Sequence, residues 1–163
     1  MASLAQLETD AKHVDYEISM FMELSDRLLR QRDIPADDVL RRAVFESCLL
    51  HFRALLEFFR TDTKYVDDLR ATDYIDNPAH KSAIGLLAPN ESERARMGQL
   101  HKALAHIVSS RDQLDTNWSE ADLALVTSRL KLFFAHLPAP RRRWFLRASP
   151  WFVASVPEMA AQE

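Results

Sequence analysis

Residues 3–32 read SLAQLETDAKHVDYEISMFMELSDRLLRQR, and the spacing of their apolar side chains decides the fold class. Leu4, Leu7, Ala11, Val14, Ile18, Phe21, Ser25 and Leu28 follow one another at alternating intervals of three and four. That interval returns side chains to one face of an α-helix, and never to one face of a strand. The seam runs for about four heptads, and a helix of this length spans about 45 Å at a rise of about 1.5 Å per residue. Met20, Met22, Leu24 and Leu29 add a second apolar flank. A polar rod with one apolar edge must bury that edge, either on other helices of its own chain or, in part, on a second copy.

Outward from this segment the helical period continues. Pro35 favours a helix start, because its fixed φ suits a first turn, and a second helix is predicted over 36–60. On its wheel Leu40, Val44, Cys48, Leu55, Phe58 and Phe59 share a side with His51, while Arg42, Glu46, Arg53, Glu57 and Arg60 take the other. Asn90 followed by Glu93 makes a capping box that opens a third helix over 91–112. Ser119 with Asp122 opens a fourth over 120–136, with the stripe Leu123, Val126, Leu130, Phe133 or Phe134, and Leu137; Pro138 and Pro140 stop it. Between the second and third helices, residues 61–89 place Asp62, Asp67, Asp68, Asp73 and Asp76 among turn formers. A long loop with one short helix near 80–88 is predicted there, and a short basic helix over 141–147. Only two glycines occur, Gly85 and Gly98. That argues against an all-β fold and excludes glycine-rich phosphate or dinucleotide cradles. The expectation is an all-α, antiparallel bundle of four main helices, with a long N-terminal helix and a short C-terminal basic helix. It forms one domain over 1–163, with its core over 3–137 and a basic, aromatic extension over 138–163.

A chain of 163 residues with 47% apolar side chains buries enough surface to fold without a metal or a disulfide. The single Cys48 excludes a disulfide framework and a cysteine-based zinc site. A net charge of -3 gives no global sign of a nucleic-acid coat. No run of about 18 apolar residues predicts a membrane span, and the first residues lack the basic start and apolar core of a signal peptide. A cytoplasmic chain with reduced Cys48 and no membrane partner is expected.

Candidate chemistry concentrates in ERARMGQLHKALAHIVSSR, residues 93–111. Met97, Leu100, Ala103, Leu104, Ile107 and Val108 form its apolar arc. His101 and His106 flank the arc on opposite edges, a spacing of five that suits joint chelation poorly. Arg96 and Arg111 project into the arc and require partners; Asp67, Asp68 or Glu46 would serve. His51 fits either a satisfied core position or a polar centre beside His106 or Arg111. A metal set of His51, His106 and Asp67 is conceivable in a bundle, but no spacing demands it, and no metal or cofactor is expected. Arg141, Arg142, Arg143 and Arg147 alternate with Trp144, Phe145, Trp151 and Phe152. Such a segment can pair with phosphates and stack bases or dock on an anionic membrane surface. Alternatively it clamps its aromatics over the bundle and turns its arginines to solvent, toward the acidic first helix.

The pairing of FESCLLHFRALLEFF, residues 45–59, with the later HKALAH, residues 101–106, resembles the HEPN superfamily of small α-helical bundle domains over about residues 36–112. That family carries an Arg, four to six residues, then a His at the start of a late helix. Here His106 matches the family's His, and His101 stands where its Arg does; Arg96 with His101 is a second placement. The resemblance implies one of two activities. Many members are metal-independent ribonucleases of defence and toxin–antitoxin systems. They act as dimers in which the Arg holds the scissile phosphate and the His moves a proton. Members that have lost the pair bind RNA, nucleotides or proteins. The replacement at His101 favours a non-catalytic, dimerising binding domain with an RNA or protein partner. Its homodimer is expected through the long N-terminal helix or the bundle face. The alternatives are a ribonuclease using His106, His101, Arg96 and Arg111, and a metal-binding bundle enzyme. Expected binding residues are His51, Lys102, Asp67, Asp68, Arg141, Arg142, Arg143 and Trp144.

Overall fold

The structure, a computed structural model, describes residues 3–30, 38–61, 68–95, 98 and 120–152. Its elements are α1 (Leu4–Arg30), α2 (Asp38–Phe58), a 3-10 turn (Ala71–Tyr74), α3 (Pro78–Gly85), a helical stretch over 91–95, α4 (Glu120–His136), α5 (Ala139–Arg142) and α6 (Ser149–Phe152). The fold is all-α, with no strand among the described residues.

The α1 seam is buried as its spacing requires. Leu7, Ala11, Val14, Ile18, Phe21, Leu24 and Ser25 are all inside, while Leu4, at the very end, is 62% exposed. The partner face belongs to α2. Ser25 Oγ meets Cys48 Sγ at 3.5 Å, the Phe21 and Phe52 rings lie 6.2 Å apart, and Glu17 meets His51. From Ser25–Cys48 to Phe21–Phe52 the residue numbers fall on α1 as they rise on α2, so the two helices run antiparallel. Within the chain, the α1 seam packs against the face of α2 that carries Cys48, Leu49, Phe52, Leu55 and Leu56, all buried.

The buried arc of α2 centres on Phe52, about 100° round the helix from His51. Leu40, expected inside, is 49% exposed, and Leu49, Phe52 and Leu56 are buried. His51 stands on the rim of the arc.

A second part of the core is aromatic. Phe133 of α4 meets the rings of Phe58, Phe59, Tyr74, Phe134 and Phe145 at centroid separations of 5.4–6.4 Å. These contacts are edge to face, the arrangement the ring quadrupole prefers. Phe152 stacks on Phe134 at 5.2 Å. The end of α2, the 3-10 turn, α4 and the C-terminal segment are thus joined through one set of rings, each fully buried ring contributing about 1.5–3 kcal/mol of transfer free energy.

Caps place the smaller elements. Asn77 Oδ1 accepts from the Ala79 and His80 N–H groups at 2.9 and 3.3 Å, and Pro78 follows at the first helical position. α3 therefore begins two residues earlier than the 80–88 expected. Asn90 and Glu93 close the predicted capping box at 2.8 and 3.0 Å. Residues 91–95 and 98 of the predicted third helix are described, and 96, 97 and 99–112 lie outside the described residues. The single basic helix expected over 141–147 is replaced by α5 and α6 with turns between them, because Pro140 and Pro150 each suit a first turn and cannot sit in a helix interior.

Candidate functional site

Three consecutive residues of α1, Asp15, Tyr16 and Glu17, hold a polar junction that ties α1 to α2 and to the C-terminal segment. Successive side chains on a helix point about 100° apart, so the three reach different neighbours. Glu17 reaches α2, where its Oε2 lies 2.6 Å from His51 Nδ1. Asp15 reaches the C-terminal segment. It accepts from the Arg147 N–H at 3.0 and 3.1 Å and from the Ala148 N–H at 2.8 Å. Tyr16 stands between them. The His51 ring meets it edge-on at 5.8 Å, and the Arg147 guanidinium lies 6.0 Å from its ring centroid.

The chemistry of the His51–Glu17 pair follows from the groups. A carboxylate only accepts, so Nδ1 carries the proton and Nε2 is the nitrogen left to accept or take up a second one. That is the orienting half of a general base. The His51 side chain is 12% exposed and that of Glu17 33%. The nearby Ser19 hydroxyl donates to the Tyr16 carbonyl at 2.9 Å. Cys48, one turn from His51, is fully buried. Burial pushes its thiol up to about 11 against the opposing bond to Ser25, so it is no thiolate nucleophile at neutral pH.

Among the expected site residues, Arg96, His101, Lys102, His106, Arg111 and Asp67 lie outside the described residues. Asp68 is exposed. The metal set of His51, His106 and Asp67 has one described member, His51, and that member faces Glu17. Among the described residues no three His, Cys, Asp or Glu side chains gather as a metal centre requires.

The basic and aromatic C-terminal segment is divided by the fold. Arg141 is 5% exposed and donates to the Tyr74 carbonyl at 2.6 Å and to Asp76 Oδ1 at 2.7 Å. Its guanidinium lies 5.7 Å from the centroid of Trp144, itself 9% exposed. Arg142 donates to the Leu137 and Ala135 carbonyls at 3.2 and 3.5 Å, meeting acceptors the end of α4 leaves open. Arg143, Leu146 and Arg147 remain outside. Arg141 and Trp144 are withdrawn to the aromatic core and the Tyr74 carbonyl, while Trp151 is 41% exposed.

Sequence patterning missed Asp15, Tyr16 and Glu17 as a unit. Each is an ordinary helix-surface residue in a one-dimensional pattern, and only the α1–α2 register brings Glu17 to His51. It also missed Arg129, whose guanidinium holds Glu93 at 2.8 and 3.0 Å and the Leu87 carbonyl at 2.8 Å. No described helix is long and apolar enough to cross a membrane. Compared with family models, curated proteins and solved structures, the chain has no match in any of the three.

Proposed function

We propose that this chain is a non-catalytic, HEPN-like interaction domain whose partner is a second copy of itself, docked on the outer face of α2. The contrast between the two sides of α2 carries this proposal. Its ionisable rim residue, His51, is held by Glu17 and Tyr16 inside the chain. Its outward face presents Val39, 74% exposed, and Leu50, 52% exposed, with the exposed Ala43 between them. Positions 39, 43 and 50 fall within about 40° of one another on the wheel, so they form a stripe rather than scattered apolar contacts. This is the bundle-face route to a homodimer, and it leaves the α1 seam undisturbed.

Sedimentation equilibrium at tens of micromolar tests the proposal. A dimer that becomes monomeric in V39E/L50E, with unchanged helicity by circular dichroism, is the expected result; a monomeric wild type refutes it. Incubation with RNA in EDTA tests the catalytic alternative. Cleavage that stops in H106A would replace the non-catalytic proposal with the metal-independent ribonuclease.

A further inference from the structure

Away from the Asp15–Glu17 junction, two imidazoles meet between α3 and α4. His80 is the third residue of α3 and His136 the last of α4. Their ring centroids are 4.4 Å apart with planes tilted by 44°, and both residues are half-buried. Each backbone is braced. The His80 N–H is held by the Asn77 cap, and Arg142 grips the carbonyls on either side of His136, those of Ala135 and Leu137. Among the described residues no side chain hydrogen-bonds either imidazole.

We propose that His80 and His136 form a two-imidazole site for one divalent transition ion of the Cu2+ or Ni2+ class, with solvent completing its coordination. The separation of the rings selects the geometry. A metal–nitrogen bond of about 2.0–2.1 Å puts each ring centroid about 3.2 Å from the ion. Two imidazoles at a right angle then hold their centroids about 4.5 Å apart, and two at the tetrahedral angle about 5.2 Å. The observed 4.4 Å fits the right angle, which tetragonal Cu2+ and octahedral Ni2+ use and zinc does not prefer. Two imidazole nitrogen donors also disfavour Mg2+, which seeks oxygen ligands. With no third His, Cys, Asp or Glu gathered there among the described residues, the site is open and its ion exchangeable. The ion would link α3 to α4 without being needed for the fold.

Calorimetric titration of the full chain with NiCl2, CuCl2 and MgCl2 in chelator-free buffer tests this. Saturation by one Ni2+ or Cu2+ per chain, with no response to Mg2+, is expected. H80Q and H136Q should each weaken binding at least tenfold, while H13Q leaves it unchanged. As a readout that needs no variant, substoichiometric Cu2+ should broaden the His80 and His136 ring proton resonances first. The proposal is overturned by the absence of saturable binding, by binding that survives H80Q/H136Q together, or by broadening centred on other histidines.

Discussion

Replacing Asp15 by Ala should detach the C-terminal segment from α1 and destabilise the whole chain. Asp15 is 5% exposed and Ala148 fully buried, so the 2.8 Å bond between them has no solvent to substitute for it. A buried N–H left without an acceptor costs about 1–3 kcal/mol, and a hydrogen bond to a charged group contributes about 1.5–3 kcal/mol. The Arg147 N–H, in a more exposed residue, can turn to water and adds less. Burial of the carboxylate itself costs free energy that the substitution returns. The net expectation for D15A is a loss of about 2–4 kcal/mol. D15N keeps one acceptor oxygen and should lose about half as much. Urea unfolding followed by far-ultraviolet circular dichroism gives the magnitude; each kcal/mol corresponds to about 2–4 °C in Tm for a chain of this size. Hydrogen exchange gives the location, since the Ala148 amide should be protected in the wild type and exposed to exchange in D15A. A D15A variant within about 0.5 kcal/mol of the wild type, with Ala148 still protected, would refute the claim that this carboxylate anchors the tail.

Two further outcomes follow from the same contacts. R141A should cost about 2–3 kcal/mol, because it orphans the Tyr74 carbonyl and removes a buried stem; R143A, at an exposed position, should stay within about 0.5 kcal/mol. Equal effects in urea titrations would contradict the division of the C-terminal arginines. Cys48 should resist thiol reagents at pH 8 until the chain unfolds. Its folded pKa, raised by burial from 9.0 to about 11, lies above the unfolded value, so its contribution is complete below pH 9 and is lost as pH rises through about 11, at a slope of up to about 1.4 kcal/mol per pH unit. Tyr74, raised by burial and then by Asp10 and Asp73, adds to this alkaline loss. C48A should therefore lessen the fall in urea midpoint between pH 9 and 11 without abolishing it, and an undiminished fall would remove Cys48 from the account.

The helices were legible because helical period is local. The α1 seam, the Asn90–Glu93 box and the bounds of α4 follow from residues within a turn or two of one another. What failed was non-local or conditional. A stripe centred on His51 takes in Leu40, Val44 and Cys48 and leaves out Leu49 and Leu56, which lie about 140–160° from His51; the buried arc centres on Phe52, and the position of α1 selects it. The C-terminal segment was read as one short helix, although Pro140 and Pro150 mark two starts. The Glu17–His51 contact spans thirty-four positions and depends on how far α1 slides along α2. No periodicity encodes that offset.

The same limit explains why charge was the poorest guide. Residues such as Asp15, Glu17, Glu93, Arg129 and Arg141 usually lie on the surface. Each instead ties one element to another: α1 to the tail, α1 to α2, the Asn90 cap to α4, and the tail to the 3-10 turn. A chain with only two glycines has few tight turns to fix its connections, so long-range ionic contacts take that role. An Arg or His in such a chain is therefore weak evidence for a site until its partner is known. Apolar side chains left outside, such as Val39 and Leu50, are the stronger evidence. They share one face of α2, and burying such a face by association is favourable.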